Sequence, residues 1–567
     1  MRYEFLRCVL WIGIFCLIAG CRTDLSRTVE QMDADVYAII DETWTDAMGD
    51  RSNYRIPDAG LPQAESDYNG IAIQIELSPS NVLTLPQAVS LATTHNRAYA
   101  TEKEQLYLTA LNLIDARHIY EPIPFGGGRG GLANDADNRG AGGFGHLGIQ
   151  RLLATGAQVS ADISMGWMDI ISGDYRSGFS TVATAMVTQP LLRGSSRKIV
   201  MENLTQAQRN TLYQIRDFNR YRKEFVTSII SDYYRLLQLN DESINAGNHY
   251  NTLVEMYATL EKRALAGRLP QHELKQAGQD KLAAFADYMQ SQRDYKNTLD
   301  AFKLQLAIGP NVWVSLDMHE LEALKESVSS HLEISEEEAI GITLAQRLDL
   351  MNAADRVDDA RRKVDVAADA IRAELNLIGY NDSETSNRTV FDMDPGELRK
   401  TRDRYELGLQ LDLPLDRLAE KTAYRRAIIG FVQQERAFQE TFDTLILEVQ
   451  RACRQVEEAR HRYDVESESS QLAMQRTKNT LLLLQYDRAN TRDVLDAQKD
   501  FLKARNASTE AAIDYAIACL EFFRDTGTMK IKPDGMWEAG QLSEITLTKK
   551  VPTSSVEKQD PKAIIAN

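Results

Sequence analysis

The sequence has little cysteine, little proline and no excess of positive charge. Five cysteines in 567 residues exclude a disulfide-stapled scaffold. With only 14 prolines and 32 glycines, the chain is neither fibrous nor wholly disordered. Lysine and arginine number 65 against 82 acidic residues, and the net charge of −17 argues against a nucleic-acid-binding protein. After the N-terminus no run approaches 18 apolar residues, so we expect no transmembrane helix in the mature chain.

The sequence also lacks the residue patterns of catalysis and metal binding. It has no Ser-His-Asp set, no HExxH helix and no Walker loop, and its eight histidines are scattered singly. Cys453 and Cys519 have no CxxC partner, which favours core packing. The GxGxxG string over residues 143–148 follows a glycine-rich stretch instead of a strand, so it does not predict a nucleotide site. We therefore predict no enzyme activity, no cofactor and no metal.

The N-terminus has the features of a bacterial lipoprotein signal peptide. Arg2 and Arg7 precede an apolar run over residues 9–19, which is too short to span a bilayer comfortably. Small residues then lead to Cys21, as in a lipobox, so cleavage is expected after residue 20 and lipidation on the Cys21 thiol. A plain membrane anchor or a secretory signal with an incidental cysteine is the alternative.

Two parts of the chain show the period-two pattern of β-strands. Apolar and polar residues alternate from Val159 to Trp167 and again from Tyr405 to Leu413. The expected strands span about 157–171, 179–190, 372–380 and 404–414. Most are roughly ten residues long, the length of a tilted transmembrane β-strand. The glycine-rich stretch 121–145 and the polar stretch 381–403 are expected to be loops.

Long helical patterns follow each pair of strands, and the two halves of the chain repeat each other. Helices are expected over about 195–265, 271–308 and 416–486, and then from the end of a turn at residues 487–492 to about 523. The turn with Arg268 matches the turn with Arg488, and Leu274 matches Val494. Phe438, Leu445 and their heptad successors form a coiled-coil seam. The unit of helix, hairpin, long helix, turn and long helix therefore occurs twice.

The predicted fold class is mainly α with a small transmembrane β part, built from this duplicated helix–β-hairpin–long helical hairpin unit. The expected segments are a signal peptide (1–20), an N-terminal periplasmic extension (21–83), a first repeat (84–310), a linker (311–334), a second repeat (335–525) and a disordered periplasmic tail (526–567).

The predicted strands require more than one chain. Four strands cannot close a barrel, for which about eight is the smallest number, and an open sheet edge is not tolerated in lipid. Three chains of four strands would give twelve. The competing interpretation is a periplasmic coiled-coil lipoprotein, adaptor or structural, without a pore.

Three short motifs resemble the TolC-type outer-membrane efflux proteins, over roughly residues 84–525. They are the opening Thr84-Leu85-x-x-Ala88, the strand end Gln189-Pro190-Leu191-Leu192-Arg193-Gly194, and Asp493-Val494-Leu495-Asp496-Ala497 after the second turn. The resemblance implies a homotrimer whose twelve-stranded barrel in outer-membrane lipid continues into a periplasmic helical tunnel. It also implies a periplasmic adaptor and an inner-membrane pump as partners, and a passive role as an export duct.

The resemblance further implies roles for residues at the two turns between long helices. Asp493 and Asp496 match acids that form the pore constriction in relatives, and the alternative is that they are solvated surface acids. The first-repeat equivalents, Glu273 and Gln276, differ from them. The residues implied in the periplasmic tip and adaptor docking are Arg268, Leu269, Pro270, Arg488, Ala489 and Asn490. For the two arginines, compensation of a helix dipole is the equal alternative.

Overall fold

The structure is a computed structural model of the chain. It describes residues 25–45, 48–49, 51, 53–56, 82–134, 139–172, 178–309, 311–327, 335–387, 400–486, 488–532 and 537–538. The expected signal peptide and Cys21 lie outside the described residues. The chain divides into a sheet unit (1–43, 106–215 and 352–439) and a helix unit (44–105, 216–351 and 440–567).

The described residues form long helices and one large antiparallel sheet. The helices are α1 (Leu25–Thr43), α2 (Leu85–His95), α3 (Arg97–His118), α4 (Arg197–Val200), α5 (Glu202–Leu265), α6 (Gln271–Gln305), α7 (His319–Ser327), α8 (Glu336–Gln346), α9 (Leu348–Asp369), α10 (Leu418–Gln485) and α11 (Thr491–Asp525). The strands are β1 (Val82–Leu83), β2 (Ile123–Asn134), β3 (Arg139–Leu152), β4 (Gln158–Ser172), β5 (Gly178–Pro190), β6 (Ser315–Leu316), β7 (Glu374–Asn387), β8 (Lys400–Asp412), β9 (Lys530–Ile531) and β10 (Trp537–Glu538).

The sheet unit contains six strands in the order β2-β3-β4-β5-β7-β8, and every neighbouring pair is antiparallel. The expectation of four strands per chain is therefore wrong, because residues 123–134 and 139–145 of the expected loop form β2 and the start of β3. The count of twelve strands for three chains assumed four strands per chain, so it no longer follows. The expected loop 381–403 is also shorter, since β7 continues to Asn387 and β8 begins at Lys400.

The glycine-rich hairpin is a sheet because large side chains of neighbouring strands lie over its glycines. A Cβ added to Gly143 would stand 2.5 Å from the indole nitrogen of Trp167. At Gly148 it would collide with the ring of Phe125 and lie 2.7 Å from Cβ of Asp162. Aromatic side chains that cover glycines on adjacent strands pin the strand register. This signal is long-range, so the local composition indicated a loop.

The helix unit has its core along α5, whose buried residues repeat with the spacing of one helix face. Val226, Ile230, Tyr233 and Leu237 are fully or almost fully buried and pack in one cluster with residues of α2, α10 and α11. Helix α2 begins with a capping box, in which the Thr84 amide donates to Oε1 of Gln87 at 3.3 Å. Thr84 and Gln87 are three positions apart, which is the spacing typical of this cap.

The helical segment from Leu85 to His118 is interrupted at Asn96. Asn96 has extended dihedral angles, and its side chain accepts a hydrogen bond from the Tyr99 amide at 3.0 Å. It therefore ends α2 and caps α3, because an Asn oxygen satisfies an amide that lacks a helical partner. Arg347 takes the corresponding extended conformation between α8 and α9. The break is thus part of the duplicated unit.

Two segments expected to lack structure contain ordered elements. The expected linker 311–334 includes β6, which pairs in parallel with β1, and α7. The start of the expected tail, 526–567, belongs to the core of the helix unit, since Thr526, Met529 and Ile531 are buried. Apolar contacts keep these residues ordered, so this part of the chain is not a disordered tail. Residues 539–567 lie outside the described part of the chain.

Arg347 is the centre of a buried ion-pair network in the helix unit. Its guanidinium donates to Oδ1 and Oδ2 of Asp349 at 2.9 and 2.8 Å and to Oε2 of Glu448 at 3.1 Å. It also donates to the Asp525 carbonyl at 2.7 Å. Asp349 accepts a second ion pair from Arg220, and these charges keep its pKa below its usual range against the opposing effect of burial. The network joins residues that are far apart in sequence.

Lys223 lies half-buried beside this network, and its surroundings disfavour the charged form of its side chain. Its ammonium donates to the Gly527 carbonyl at 2.9 Å. Burial, with smaller contributions from Arg222 and Arg347, lowers the pKa of Lys223 to about 8. The folded chain thus releases this proton at a lower pH than the unfolded chain, so the Lys223 contribution to stability rises between about pH 8 and the ordinary value of 10.5.

Replacement of Lys223 by methionine is expected to remove this pH dependence. Between pH 8 and 9.5 the free energy of unfolding of the native chain should rise by about 2 kcal/mol relative to that of Lys223→Met. Denaturant unfolding of both proteins in the same detergent, followed by helical circular dichroism at the two pH values, measures the difference. Parallel profiles for the two proteins would contradict a depressed pKa at Lys223.

Candidate functional site

One face of the sheet is a continuous apolar surface. Residues that are neighbours across the strands point to the same side, so Leu147 of β3 faces Ile163 of β4, and Gly379 of β7 faces Leu407 of β8. The exposed apolar side chains of this face are Leu132, Leu147, Ile149, Ile163, Met165, Trp167, Val187, Tyr405, Leu407, Leu409 and Leu411. A surface of this kind on a single chain needs a partner or an apolar solvent.

The opposite face is largely polar. Along β4 it presents Ser160, Asp162 and Ser164, and along β8 it presents Arg404 and Glu406. Among the described side chains, the larger apolar exceptions on this face are Ile123, Phe125, Phe144, Leu152, Val182, Met186 and Ile378. Alternation of apolar and polar residues with a period of two is typical of a transmembrane barrel strand, with one face toward lipid and the other toward a lumen.

The two turns between long helices share one backbone hydrogen bond at equivalent positions. The amide of Arg268 donates to the Arg263 carbonyl at 2.9 Å, and the amide of Arg488 donates to the Leu483 carbonyl at 2.8 Å. Gly267 provides the positive φ of 68° that the first turn requires. These bonds satisfy carbonyls at the ends of α5 and α10. The structure therefore extends the sequence repeat to the level of individual hydrogen bonds.

The expected docking residues have matching exposure in the two turns. Arg268 and Arg488 are exposed, and the residues that follow them, Leu269 and Ala489, are half-buried. Leu269 packs against a small cluster that we call the tip core. The tip core consists of Leu253, Leu260, Ala277, Ala284 and Leu495. Pro270 and Asn490 are the N-cap residues of α6 and α11. Each turn thus presents one arginine from a packed helical end.

Asp493 has a structural task within its own helix. The Asn490 amide donates to Oδ2 of Asp493 at 3.1 Å, which with the Asn490 side chain forms a capping box at the start of α11. The pair Asn490-x-x-Asp493 was visible in the sequence but was not considered there. Asp493 is nevertheless exposed, so its carboxylate can serve both as a cap and as a surface charge.

Asp496 lies one turn further along the same exposed face and is not part of the cap. Its carboxylate forms an exposed ion pair with Arg492 at 3.7 Å, a partner that the sequence analysis did not consider. Between the two aspartates, Val494 and Leu495 are buried. The helix therefore fixes both acids on the side opposite its packed side, where they add negative charge next to the second turn.

Within the described residues, no group of three or more His, Cys, Asp or Glu side chains is placed to hold a metal ion. Among the helices that the structure describes, none combines the length and apolar character needed to cross a membrane.

Several solved structures are similar to this chain along most of its length. The outer membrane channel CmeC of Campylobacter jejuni is 16% identical, with a TM-score of 0.55 over 81% of this chain and 87% of that chain. The open state of the outer membrane channel MtrE of Neisseria gonorrhoeae is 13% identical, with a TM-score of 0.58 over 78% and 88%. The outer membrane protein VceC of Vibrio cholerae is 14% identical, with a TM-score of 0.54 over 78% and 96%.

No protein-family model matches the chain, and no curated protein matches it by sequence. At identities of 13–16% the similarity concerns the fold. The chain thus has the fold of the outer-membrane channels, and the resemblance to the TolC-type proteins that its short motifs indicated is confirmed at that level.

Proposed function

We propose that this protein is a passive export duct of the bacterial outer membrane. The observation that carries the proposal is the six-stranded sheet with one apolar and one polar face, attached to helices of 64 and 68 residues. At about 1.5 Å per residue, each helix is about 100 Å long, which suits a tunnel that extends from the membrane across a periplasmic space. No chemical step is required of the chain itself.

We propose a homotrimer, because a single six-stranded sheet leaves two edges whose backbone groups cannot go unpaired in lipid. The turns at Arg268 and Arg488 would form the inner end of the tunnel. There they would meet a periplasmic adaptor and, through it, an inner-membrane pump that supplies the energy. Lipidation at Cys21 would anchor the N-terminus of the mature chain in the same membrane.

Mass and conductance together test this function. The full chain, extracted in mild detergent, is expected at about 190 kDa after subtraction of the detergent, since three closed copies share identical interfaces and one chain is 63.9 kDa. In a planar lipid bilayer it should give discrete ion-conducting steps. A monomer that needs no detergent once the lipid is removed would overturn the proposal in favour of a coiled-coil lipoprotein.

The acid at Asp496 is expected to set the ion preference of the duct. Asp496→Asn removes one carboxylate per chain without touching the capping box, so the cation-over-anion permeability ratio should fall roughly twofold. The reversal potential in a salt gradient measures this ratio. Glu440→Gln, a change at an exposed acid far from the turn on α10, is the matched control and should leave the ratio unchanged. Equal permeability ratios for the native chain, Asp496→Asn and Glu440→Gln would show that Asp496 does not line the pore.

A further inference from the structure

The six strands of the sheet unit can close a barrel with copies of themselves. Because all neighbouring pairs are antiparallel and the number of strands is even, the edge strands β2 and β8 point in opposite directions. The β8 edge of one copy therefore meets the β2 edge of the next copy as another antiparallel pair. Such a ring leaves no edge, and it keeps the up-and-down pattern around its whole circumference.

The added hairpin continues both faces of the sheet. Strand β3 places Leu147 and Ile149 on the apolar face and His146 and Gln150 on the polar face. Two glycines of the hairpin lie under aromatic side chains of neighbouring strands, Gly143 under Trp167 and Gly148 under Phe125. Strands β2 and β3 are thus built as part of the wall, and the β4 edge is not free to pair with another chain.

The strand register gives the tilt of this wall. A row of paired residues crosses the sheet from Ile123, the first residue of β2, to Glu406 of β8. Glu406 precedes Asp412, the last residue of β8, by six positions. Six residues correspond to about 20 Å along a strand, and six strand spacings to about 29 Å, which gives a tilt of about 35°. Closed barrels have tilts of about 35–45°.

This tilt corresponds to a seam in which the first residue of β2 and the last residue of β8 are level, and that condition sets which residues meet there. If Ile123 of one copy lies beside Asp412 of another, then Arg129 lies opposite Glu406, and the pair carries opposite charges. Gly126 and Gly128 then lie opposite Leu409 and Leu407 on the apolar face. Large side chains opposite glycines repeat the arrangement seen inside the sheet, so the seam resembles the rest of the wall.

We propose that three copies of this chain close a barrel of eighteen strands through a β8–β2 seam in which Glu406 meets Arg129 of the next copy. The proposal rests on the trimeric duct proposed above and deepens it. Because barrel diameter grows roughly linearly with strand number, this barrel is about one and a half times as wide as a twelve-stranded one. The hairpin β2–β3 is thus a device that widens the outer end of the duct.

Cysteine cross-linking in membranes tests the seam against the narrower alternative. In a variant with Cys453 and Cys519 replaced by alanine, Arg129→Cys combined with Glu406→Cys should give disulfide-linked dimers and trimers of the full chain. A twelve-stranded barrel without the hairpin would pair β4 with β8, and its register would place Ser164 opposite Glu406 instead. Ser164→Cys combined with Glu406→Cys is therefore the matched control and should remain monomeric under oxidation.

The outcomes separate the seam from the proposed function. Cross-links through Ser164, with a trimeric mass and conducting channels, would overturn the eighteen-strand barrel and leave the duct intact. A trimer that conducts but yields neither cross-link would overturn the β8–β2 register. A non-conducting monomer would overturn the duct itself.

A charge exchange adds a second measurement, because Arg129→Glu and Glu406→Arg should each weaken the trimer about tenfold, and the double exchange should restore it.

Discussion

Leu407→Arg is expected to prevent stable insertion of the barrel. Leu407 is 79% exposed on the apolar face of β8, near the middle of the strand. An arginine at the midplane of a lipid-facing strand costs about 2–4 kcal/mol, and a trimer carries three of them. The proposed trimer should no longer be detected on gels of unheated samples, and the protein should fail to co-sediment with membranes after a urea wash.

The neighbouring residue provides a control with the same change of charge. Gly408 lies on the polar face, and a Cβ added there would meet nothing within 4 Å. Gly408→Arg is therefore expected to leave trimer stability and membrane insertion near those of the native chain, because lumen-facing positions accept charge. Equal behaviour of the two variants would show that the odd-numbered face of β8 does not contact lipid.

Arg347→Ala is expected to destabilise the helix unit by about 3–5 kcal/mol, because removal of one partner leaves buried charges uncompensated. The Arg347 side chain is only 7% exposed, and it holds Asp349 and Glu448 together with the Asp525 carbonyl. Arg347→Lys keeps the charge but not the planar fork, so an intermediate loss is expected. Denaturant unfolding of the detergent-solubilised chain, followed by circular dichroism, measures both.

An exposed ion pair of the same unit provides the comparison. Arg293 and Asp294 pair at 3.0 Å on the surface of α6, with Arg293 65% exposed. Arg293→Ala should therefore change the free energy of unfolding by less than about 1 kcal/mol. If Arg347→Ala lowered the free energy of unfolding by no more than Arg293→Ala does, the buried ion-pair network would contribute no more to stability than an exposed pair.

Local patterns in the sequence determined the elements whose signal lies within a few residues. The long helices follow from apolar periodicity uninterrupted by proline, and β8 follows from the strict alternation between Tyr405 and Leu413. The two turns were aligned by sequence alone, and their backbone hydrogen bonds agree. The capping box at Asn490 and Asp493 also has a local signal, since its residues are three positions apart.

The tertiary structure decided what depends on distant partners. Residues 121–145 have the composition of a loop, and they become strands because Trp167 and Phe125 cover glycines across the sheet. Arg347 has partners 101 and 178 residues away, so no local pattern could reveal its network. The strand number, and with it the width proposed for the barrel, depends on these glycine–aromatic contacts between strands. Periodicity reports one face of one element, whereas pairing and packing are properties of several elements together.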